Sequence, residues 1–327
     1  MDSSTIEISP VPFDPELETA KGKMKRIITA AFGEIMVGPK HVMFTKPYAE
    51  WADKILNMDV REDDVWIISV PRSGSTWTQE MVWLLCNNLN YVAAKEKDLH
   101  KRFMFLELAA ITGQSRFGKE FWTVDKVANA ESPRFIKTHI PFELLPRKLW
   151  TVKPKMIYVY RNPKDVVISQ YHFYSMIDGY DGTFEEFAEI FIRDKCVYTP
   201  YWPHVLDFWR FQKTHNVLFL TYEKMKEDLL SVVHKVTDYL ETSLTSEQAM
   251  DLAEHLDYKN MKNNSAVNKE EQLTRFGIID KREDANFIRK GYSGQWKEKM
   301  TPEMIARFDK WSKKYIAGTD FEFYEYQ

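Results

Sequence analysis

The stretch that decides the fold runs from residue 65 to residue 86, where a buried-type run, a polar loop and a helical run follow one another. It reads Val65-Trp66-Ile67-Ile68-Ser69-Val70, then Pro71-Arg72-Ser73-Gly74-Ser75-Thr76-Trp77, then Thr78-Gln79-Glu80-Met81-Val82-Trp83-Leu84-Leu85-Cys86. The first six residues are mostly apolar and too few for a helix, so they predict a buried strand. Trp77, Met81 and Leu84 recur at helical spacing and predict a helix.

A loop that leads from a strand into a helix is suited to bind an anion, because the free N–H groups of the helix start and the helix dipole both favour negative charge. Arg72 and the hydroxyls of Ser73, Ser75 and Thr76 add further donors. The loop does not match the G-x-x-x-x-G-K-[ST] pattern of nucleotide triphosphatases. Residues 33–40 have the glycine spacing of that pattern, but Pro39 stands where Lys is required. Taken alone, an ordinary capped turn explains the loop equally well.

Composition excludes several classes of protein. The chain has 327 residues, of which 44% are hydrophobic and 28% charged, and its net charge of −3 argues against a general nucleic-acid binder. Only two cysteines, Cys86 and Cys196, are present, which predicts a reducing compartment without a disulfide framework, and hence a cytoplasmic protein. The sequence shows no signal peptide, no membrane-spanning run and no zinc-type Cys/His spacing.

The order of strands and helices predicts the fold class. Buried strands are expected at 65–70, at 155–160 and at 217–221, with helices between them, and this alternation indicates an α/β protein with a parallel, doubly wound sheet. We predict one domain over residues 1–327. Residues 1–45 are expected to form an N-terminal arm, and loops at 91–132 and 263–285 are expected to cover a pocket.

Two further segments carry candidate functional groups. Phe135 and Ile136 begin a short predicted strand, and Pro141 ends it. Lys137 and His139 are two residues apart on this extended chain and point to the same side, where a cation and an imidazole can stabilise charge and remove a proton. A surface lysine beside a core histidine remains the alternative. Arg161 stands at the carboxyl end of the strand 155–160, where ligands bind in open α/β sheets, and Ser169 lies two helical turns further on.

The helix after Arg161 has its own structural signals, since Asn162 is a good N-cap and Pro163 suits the first helical position. These signals do not account for the Arg161 guanidinium. This guanidinium and the Ser169 hydroxyl are suited to bind the same phosphate group. The segment Arg289-Lys290-Gly291 places two cations beside a glycine and is a second candidate phosphate clamp, although paired surface cations are common.

Taken together and in this order, the loop 71–77, the Lys137-Thr138-His139 strand, the Arg161–Asp165 turn with Ser169, and the segment 287–291 resemble the cytosolic sulfotransferase family over nearly the whole chain. The resemblance implies a P-loop-like sulfotransferase fold with a central parallel sheet flanked by helices. It also implies the cofactor 3′-phosphoadenosine 5′-phosphosulfate (PAPS), the product 3′-phosphoadenosine 5′-phosphate (PAP), and no metal.

The resemblance further implies roles for individual residues. Catalysis is assigned to His139 as the base, to Lys137 and Arg72 as stabilising cations, and to Ser169. The cofactor is expected to contact Arg72, Ser73, Gly74, Ser75, Thr76 and Trp77 with its 5′ end, Arg161, Ser169, Arg289, Lys290 and Gly291 with its 3′-phosphate, and Trp77, Tyr222 and Tyr258 with its adenine. Phe103, Phe105, Phe142 and Tyr174 are candidates for the acceptor pocket.

Two departures from the family pattern stand out. Most members have Lys where this chain has Arg72, a planar fork in place of a compact ammonium. Arg72 and the run Asn263-Asn264-Ser265-Ala266-Val267-Asn268 resemble the insect branch that includes retinol dehydratase. The family's dimer motif is altered, because Pro302 follows Thr301 and Ala306 occupies the position of an acid. A homodimer stays open as an alternative, but one through that motif is not expected.

Three functions are therefore weighed. The first is in-line transfer of a sulfuryl group to a hydroxyl on a small lipophilic or phenolic acceptor. The second is elimination through a transient sulfate ester, as in retinol dehydratase, and the third is a binding protein that holds a nucleotide or lipophile without turnover. A metal-dependent triphosphatase or kinase is disfavoured, since no Lys-Ser/Thr pair follows the loop and no acid is evident for Mg²⁺. The expected partners are small molecules, without nucleic acid or membrane.

Overall fold

The structure is a computed structural model. It describes residues 6–21, 33–113, 122–213, 216–268, 270–275, 288 and 293–322.

A five-stranded parallel sheet forms the centre of the molecule, as the alternation of strands and helices predicted. Its strands are β4 (Val65–Ser69), β5 (Met104–Phe105), β6 (Phe135–Thr138), β7 (Lys155–Tyr160) and β8 (Val217–Thr221), in the order β5-β6-β4-β7-β8. The central strand β4 pairs with both neighbours in parallel, and Ile68 lies opposite Thr138 on one side and Tyr158 on the other. This register brings the carboxyl ends of β4, β6 and β7 to one edge of the sheet.

Helices cover both faces of the sheet. Their bounds are α1 Pro15–Lys21, α2 Ala52–Leu56, α3 Ser75–Cys86, α4 Tyr91–Glu96, α5 Leu99–Arg102, α6 Leu108–Thr112, α7 Val124–Ala128, α8 Leu149–Val152, α9 Pro163–Ile177, α10 Phe184–Ile192, α11 Tyr201–Phe211, α12 Tyr222–Glu227, α13 Leu229–Tyr239, α14 Ser246–His255, α15 Tyr258–Asn263, α16 Glu270–Arg275, α17 Trp296–Lys299 and α18 Pro302–Ile316. Short 3-10 turns occupy Lys46–Glu50 and Phe142–Leu144. None of the helices in the described ranges has the length and apolar character needed to cross a bilayer.

Alternate residues of the central strands supply the two halves of the core. Trp66 and Ile68 pack into one buried cluster, whereas Val65 and Ile67 pack into the other. Since both faces are covered, the strands are apolar throughout, which explains why a continuous run and not an alternating pattern marked β4 in the sequence.

Two segments contain more regular structure than the sequence analysis expected. Within the predicted arm, β1 (Ile8–Pro10), β2 (Glu34–Val37) and β3 (Val42–Thr45) form an antiparallel sheet, and Met43 exchanges backbone hydrogen bonds of 2.8 and 2.9 Å with Tyr198 and Thr199. The segment 91–132, predicted as a loop, contains α4 to α7 and β5 in its described part. Each of these elements is too short to show a clear periodicity.

One buried ion pair joins the entry into β4 to the entry into β6. Arg134 and Asp64 both have fully buried side chains, and their two hydrogen bonds measure 2.7 and 2.6 Å. The remaining donors of Arg134 reach the backbone carbonyls of Asp59, Val127 and Ala128. All donors of the guanidinium are thereby used inside the protein.

We predict that Arg134→Met lowers the free energy of unfolding by about 3–5 kcal/mol, because it leaves the Asp64 carboxylate buried without its charge partner. Urea denaturation followed by circular dichroism measures this change. Lys148→Met is the matched control, since Lys148 pairs with Asp59 at the surface and its loss should hardly move the unfolding midpoint. Equal midpoints for the two variants would contradict the prediction.

Candidate active site

The loop between β4 and α3 makes a sharp turn that only a small residue permits at its tip. Arg72 and Gly74 both have left-handed backbone conformations, with φ of 72° and 108°. A Cβ atom on Gly74 would lie 2.8 Å from Cδ2 of Tyr222, so the ring of Tyr222 closes directly over the loop. The start of α3 thus lies beside an aromatic ring, and the free backbone N–H groups that a helix start offers favour an anion there.

The loop also buries polar groups that other described residues do not satisfy. The Oγ of Ser73 and the Nε1 of Trp77 are both buried, and neither has a hydrogen-bond partner among the residues that the structure describes. Buried donors in folded proteins nearly always have a partner. Their positions at the start of α3 fit a bound anion with an adjoining ring system.

Arg72 connects the loop to α9. Its Nε donates to Oγ of Ser169 at 3.1 Å, and its guanidinium lies 5.0 Å from the ring centroid of Phe173 one turn further on. Gln170 of the same helix donates to the carbonyl of Pro71 at 3.2 Å. The loop is therefore held against one face of α9.

Arg161 joins the same cluster from the end of β7. It is 6% exposed, its Nη1 donates to the carbonyl of Arg72 at 3.3 Å, and its guanidinium stacks 4.2 Å from the ring centroid of Tyr222. The ring of Tyr222 in turn meets Trp77 edge-on at 5.7 Å. Two guanidinium groups and two aromatic rings thus surround the start of α3.

Glu223 is a functional neighbour that the sequence analysis missed. Its Oε1 accepts the backbone N–H of Asn162 at 2.9 Å. Burial raises the pKa of Glu223 to about 7, although Arg161 beside it acts in the opposite direction. An acid directly after Tyr222 was the only signal in the sequence, and its burial depends on residues far away in the chain.

The predicted segment Arg289-Lys290-Gly291 lies outside the described residues, but the chain just beyond it is tied to the site. Asp165, in the first turn of α9, accepts the backbone N–H of Gly294 at 2.7 Å and that of Trp296 at 3.4 Å. The backbone at Gly294, three residues after Gly291, is therefore anchored at the start of α9.

His139 occupies the same edge of the sheet, just after β6. Its Nδ1 lies 2.6 Å from the carbonyl oxygen of Ser69, so Nδ1–H donates to that carbonyl and Nε2 is left as the basic nitrogen. The rings of Phe105 and Tyr198 flank the imidazole at 5.4 and 5.5 Å. Lys137, two residues earlier, is 8% exposed, with Nζ 4.4 Å from the Phe105 ring centroid.

Glu107 is the second acid that the sequence analysis missed. It is fully buried, and its carboxylate accepts the backbone N–H of His139 at 2.7 Å and the hydroxyl of Thr138 at 2.8 Å. Burial raises the pKa of Glu107 to about 7, while these two hydrogen bonds and the charge of Lys137 oppose the rise. Its only signal in the sequence was the presence of an acid in the apolar run just after β5.

The four candidates for the acceptor pocket are not brought together. Phe105 flanks His139, and Tyr174 is buried on α9 against Phe187, with ring centroids 5.3 Å apart. Phe103 instead packs on Phe135 in the buried cluster that contains Val65 and Ile67, because the chain turns from α5 into β5 there. Phe142 stacks between two other core rings, those of Trp150 and Phe211.

Ser75 and Thr76 begin α3, and Tyr258 begins α15, where it is partly buried. Within the described ranges no group of three or more His, Cys, Asp or Glu side chains is arranged to bind a metal ion. The arrangement as a whole offers a hydroxyl- and guanidinium-rich cradle for a phosphorylated nucleotide, with a basic imidazole nitrogen on the same sheet edge.

Comparison with known proteins agrees with this geometry. Residues 62–320 match the family model described as a sulfotransferase domain. The luciferin sulfotransferase of Photinus pyralis is 36% identical over 299 residues, which covers 88% of this chain and 80% of that protein.

Two crystal structures of retinol dehydratase, one with androsterone and inactive cofactor PAP and one with retinol and PAP, are 32% identical and superpose with a TM-score of 0.86. Each comparison covers 97% of this chain and 98% of the other. The chain therefore belongs to the sulfotransferase family, and it is an enzyme that transfers a sulfuryl group from PAPS to an acceptor molecule.

Proposed function

We propose that His139 is the general base that takes the proton from the acceptor hydroxyl. The observation that carries this assignment is the 2.6 Å hydrogen bond from its Nδ1–H to the Ser69 carbonyl, which fixes the tautomer and leaves Nε2 basic. Lys137, on the same strand end, is assigned to neutralise charge on the sulfuryl oxygens, an electrostatic contribution that can be large in a buried site.

We infer that the loop residues Arg72 to Trp77 hold the 5′ end of the nucleotide, which supplies the sulfuryl group when bound. The buried Ser73 hydroxyl, which has no partner among the described residues, and the free N–H groups at the start of α3 support this role. Arg72 and Ser169 are proposed to act at the leaving phosphate, and their mutual 3.1 Å hydrogen bond supports a shared task. Trp77, Tyr222 and Tyr258 are proposed to contact the adenine.

The 3′-phosphate is assigned to Arg161, Ser169 and the segment Arg289–Gly291. Support comes from the stacking of Arg161 on Tyr222 and from the tether between Asp165 and Gly294, which holds the chain near that helix start. We propose a small lipophilic or phenolic alcohol as the acceptor. The rings of Phe105 and Tyr198 beside His139 support it, as do the retinol and androsterone bound by retinol dehydratase.

We further propose a cytoplasmic protein, because Cys86 and Cys196 are both free thiols, and a single domain in which the described parts of 91–132 and 263–285 border the pocket. Residues 114–121, 269 and 276–285 of these two predicted loops lie outside the described residues. Dimerisation through the altered family motif is not proposed. Thr301 instead caps α18 by accepting the N–H of Met304 at 3.3 Å, and Pro302 opens the helix.

A second candidate is elimination through a transient sulfate ester. Two observations support elimination as a candidate: the TM-score of 0.86 with retinol dehydratase, and Arg72 at the position where most of the family has lysine. Incubation with PAPS and retinol, followed by chromatography, separates the two outcomes. A stable sulfate ester supports simple transfer, whereas a dehydrated polyene with free sulfate supports elimination.

We predict that His139→Ala lowers kcat for sulfuryl transfer by about 10²–10⁴-fold, because the acceptor hydroxyl loses its proton acceptor. Transfer of ³⁵S-labelled sulfate to a panel of phenols, steroids and retinoids measures the loss, and calorimetry with PAP should show nearly unchanged affinity. His234→Ala is the control, since His234 is exposed on α13 and should leave both quantities alone. Retained transfer by His139→Ala would refute the assignment of the base.

Gly74→Ala should weaken PAP binding at least about tenfold, because the new Cβ strains a left-handed backbone and displaces the Tyr222 ring. Gly318→Ala is the matched control. Gly318 also has a positive φ, of 78°, but a Cβ there meets no atom within 4 Å. Both variants should lose some thermal stability, and only the first should lose affinity in calorimetry. Equal PAP affinities would mean that the loop does not bind the nucleotide.

Arg161→Met should weaken binding of PAP by about 10–100-fold, the value of a charge-assisted hydrogen bond to the 3′-phosphate. Adenosine 5′-phosphate, which lacks that group, should bind the variant and the wild-type protein almost equally. Arg193→Met, which removes a surface guanidinium paired with Glu16, controls for the loss of net charge. An equal loss for both nucleotides would show that Arg161 does not bind the 3′-phosphate.

A further inference from the structure

The backbone on both sides of His139 is held by buried side chains. On one side, Oε1 of Glu107 accepts the N–H of His139 at 2.7 Å. On the other, Nε2–H of His204 donates to the carbonyl of His139 at 3.0 Å, while Nδ1 of His204 accepts from the hydroxyl of Tyr158, also at 3.0 Å. With Nδ1 of the imidazole bound to Ser69, the ring and its two peptide groups are all fixed.

The two holding side chains differ in how they respond to pH. Burial lowers the pKa of His204 to about 4, so this imidazole stays neutral over the working range. Glu107 is different, because burial raises its pKa to about 7. Of the two side chains that bind the His139 backbone, Glu107 is thus the one whose charge changes near neutral pH.

The groups that face Glu107 come from several elements. Lys137 on β6 contributes a positive charge that favours the ionised carboxylate. Tyr48 lies in the 3-10 turn Lys46–Glu50, and Tyr198 lies just before α11. Burial and the charge of Glu107 raise the pKa of each hydroxyl, so both stay protonated. The backbone N–H of His139 and the hydroxyl of Thr138 complete the surroundings.

We propose that Glu107 is a positioning residue for the transfer reaction: its ionised carboxylate holds the peptide of His139 in the reactive geometry, and protonation weakens that hydrogen bond. The proposal rests on the role of His139 proposed above. A carboxylate accepts at both oxygens, whereas a carboxylic acid must donate from one of them. A proton on Oε2 makes the Thr138 hydroxyl turn and accept from Glu107, and it leaves Oε1 as a neutral acceptor that binds the N–H of His139 less strongly than a carboxylate does.

Full activity therefore requires two deprotonated groups, the proposed base His139 and Glu107. On a plot of log kcat against pH, the acid limb of the wild-type enzyme should approach a slope of two, and one of the two protons belongs to Glu107. The variant Glu107→Gln cannot titrate there, so its acid limb should have a slope of one.

The test measures kcat for the best acceptor between pH 5.5 and 9 in wild type and Glu107→Gln. At the high-pH plateau the variant should lose about 10²-fold in kcat, the effect of a slightly misplaced catalytic group, while PAP affinity stays unchanged. Asp194→Asn is the matched control, because burial raises the pKa of Asp194 to about 6, yet its carboxylate contacts Tyr201 and Tyr315 and not His139. Its acid limb should keep the slope of two.

Stability separates this role from a merely structural one. The raised pKa means that folding favours the protonated carboxyl, so the contribution of Glu107 to stability is present below its ordinary pKa and is lost as pH rises through about 7. Glu107→Gln should therefore unfold at pH 8 no more easily than wild type, although it is far less active. A fall in both activity and melting temperature would point to a structural role and overturn the proposal.

Thr138→Val provides a second, independent variant should Glu107→Gln fold poorly. It removes one donor to the carboxylate, which raises the pKa of Glu107 further and should move the acid limb to higher pH. The proposal is overturned if Thr138→Val leaves the acid limb at its wild-type position. It is also overturned if Glu107→Gln keeps the wild-type kcat and slope. Activity in His139→Ala would instead defeat the proposed base itself, so the two failures are distinguishable.

Discussion

The site depends on the register in which β4 pairs with its two neighbours. Ile68 lies opposite Thr138 and Tyr158, so the three strands reach the same edge of the sheet almost level. The chain leaves β4 into the anion loop, leaves β6 at His139 and leaves β7 at Arg161. A shift by one residue in either pairing would turn the following side chains to the opposite face and separate the proposed base His139 from the proposed nucleotide cradle.

Two buried acids support the two halves of this edge in the same manner. Glu107 accepts the N–H of His139, and Glu223 accepts the N–H of Asn162 directly after Arg161. Burial raises the pKa of each carboxyl to about 7, and a nearby cation, Lys137 or Arg161, opposes that rise. An acceptor with a negative charge binds a backbone N–H more strongly than a neutral one, so each acid makes a short loop after a strand rigid.

The cofactor half of the site is built mainly from guanidinium groups and rings. Arg72 bonds Ser169 and contacts Phe173, whereas Arg161 stacks on Tyr222. Planar guanidinium groups can stack and donate hydrogen bonds in one plane at once, which an ammonium cannot. The presence of Arg72, and not Lys, is therefore compatible with a closely packed cradle.

The sequence by itself determined the strands β4, β7 and β8 and the family, and it led to the proposals of an anion loop and of a Lys137–His139 pair, because strand runs, helix caps and loop chemistry are local properties. Only the tertiary structure decided that Glu107 and Glu223 are buried at the site, since their partners lie 32 and 61 residues away. The same reason applies to Phe103 and Phe142. A sequence marks an aromatic ring as apolar, but whether it lines a pocket or fills the core depends on which distant segments pack against it.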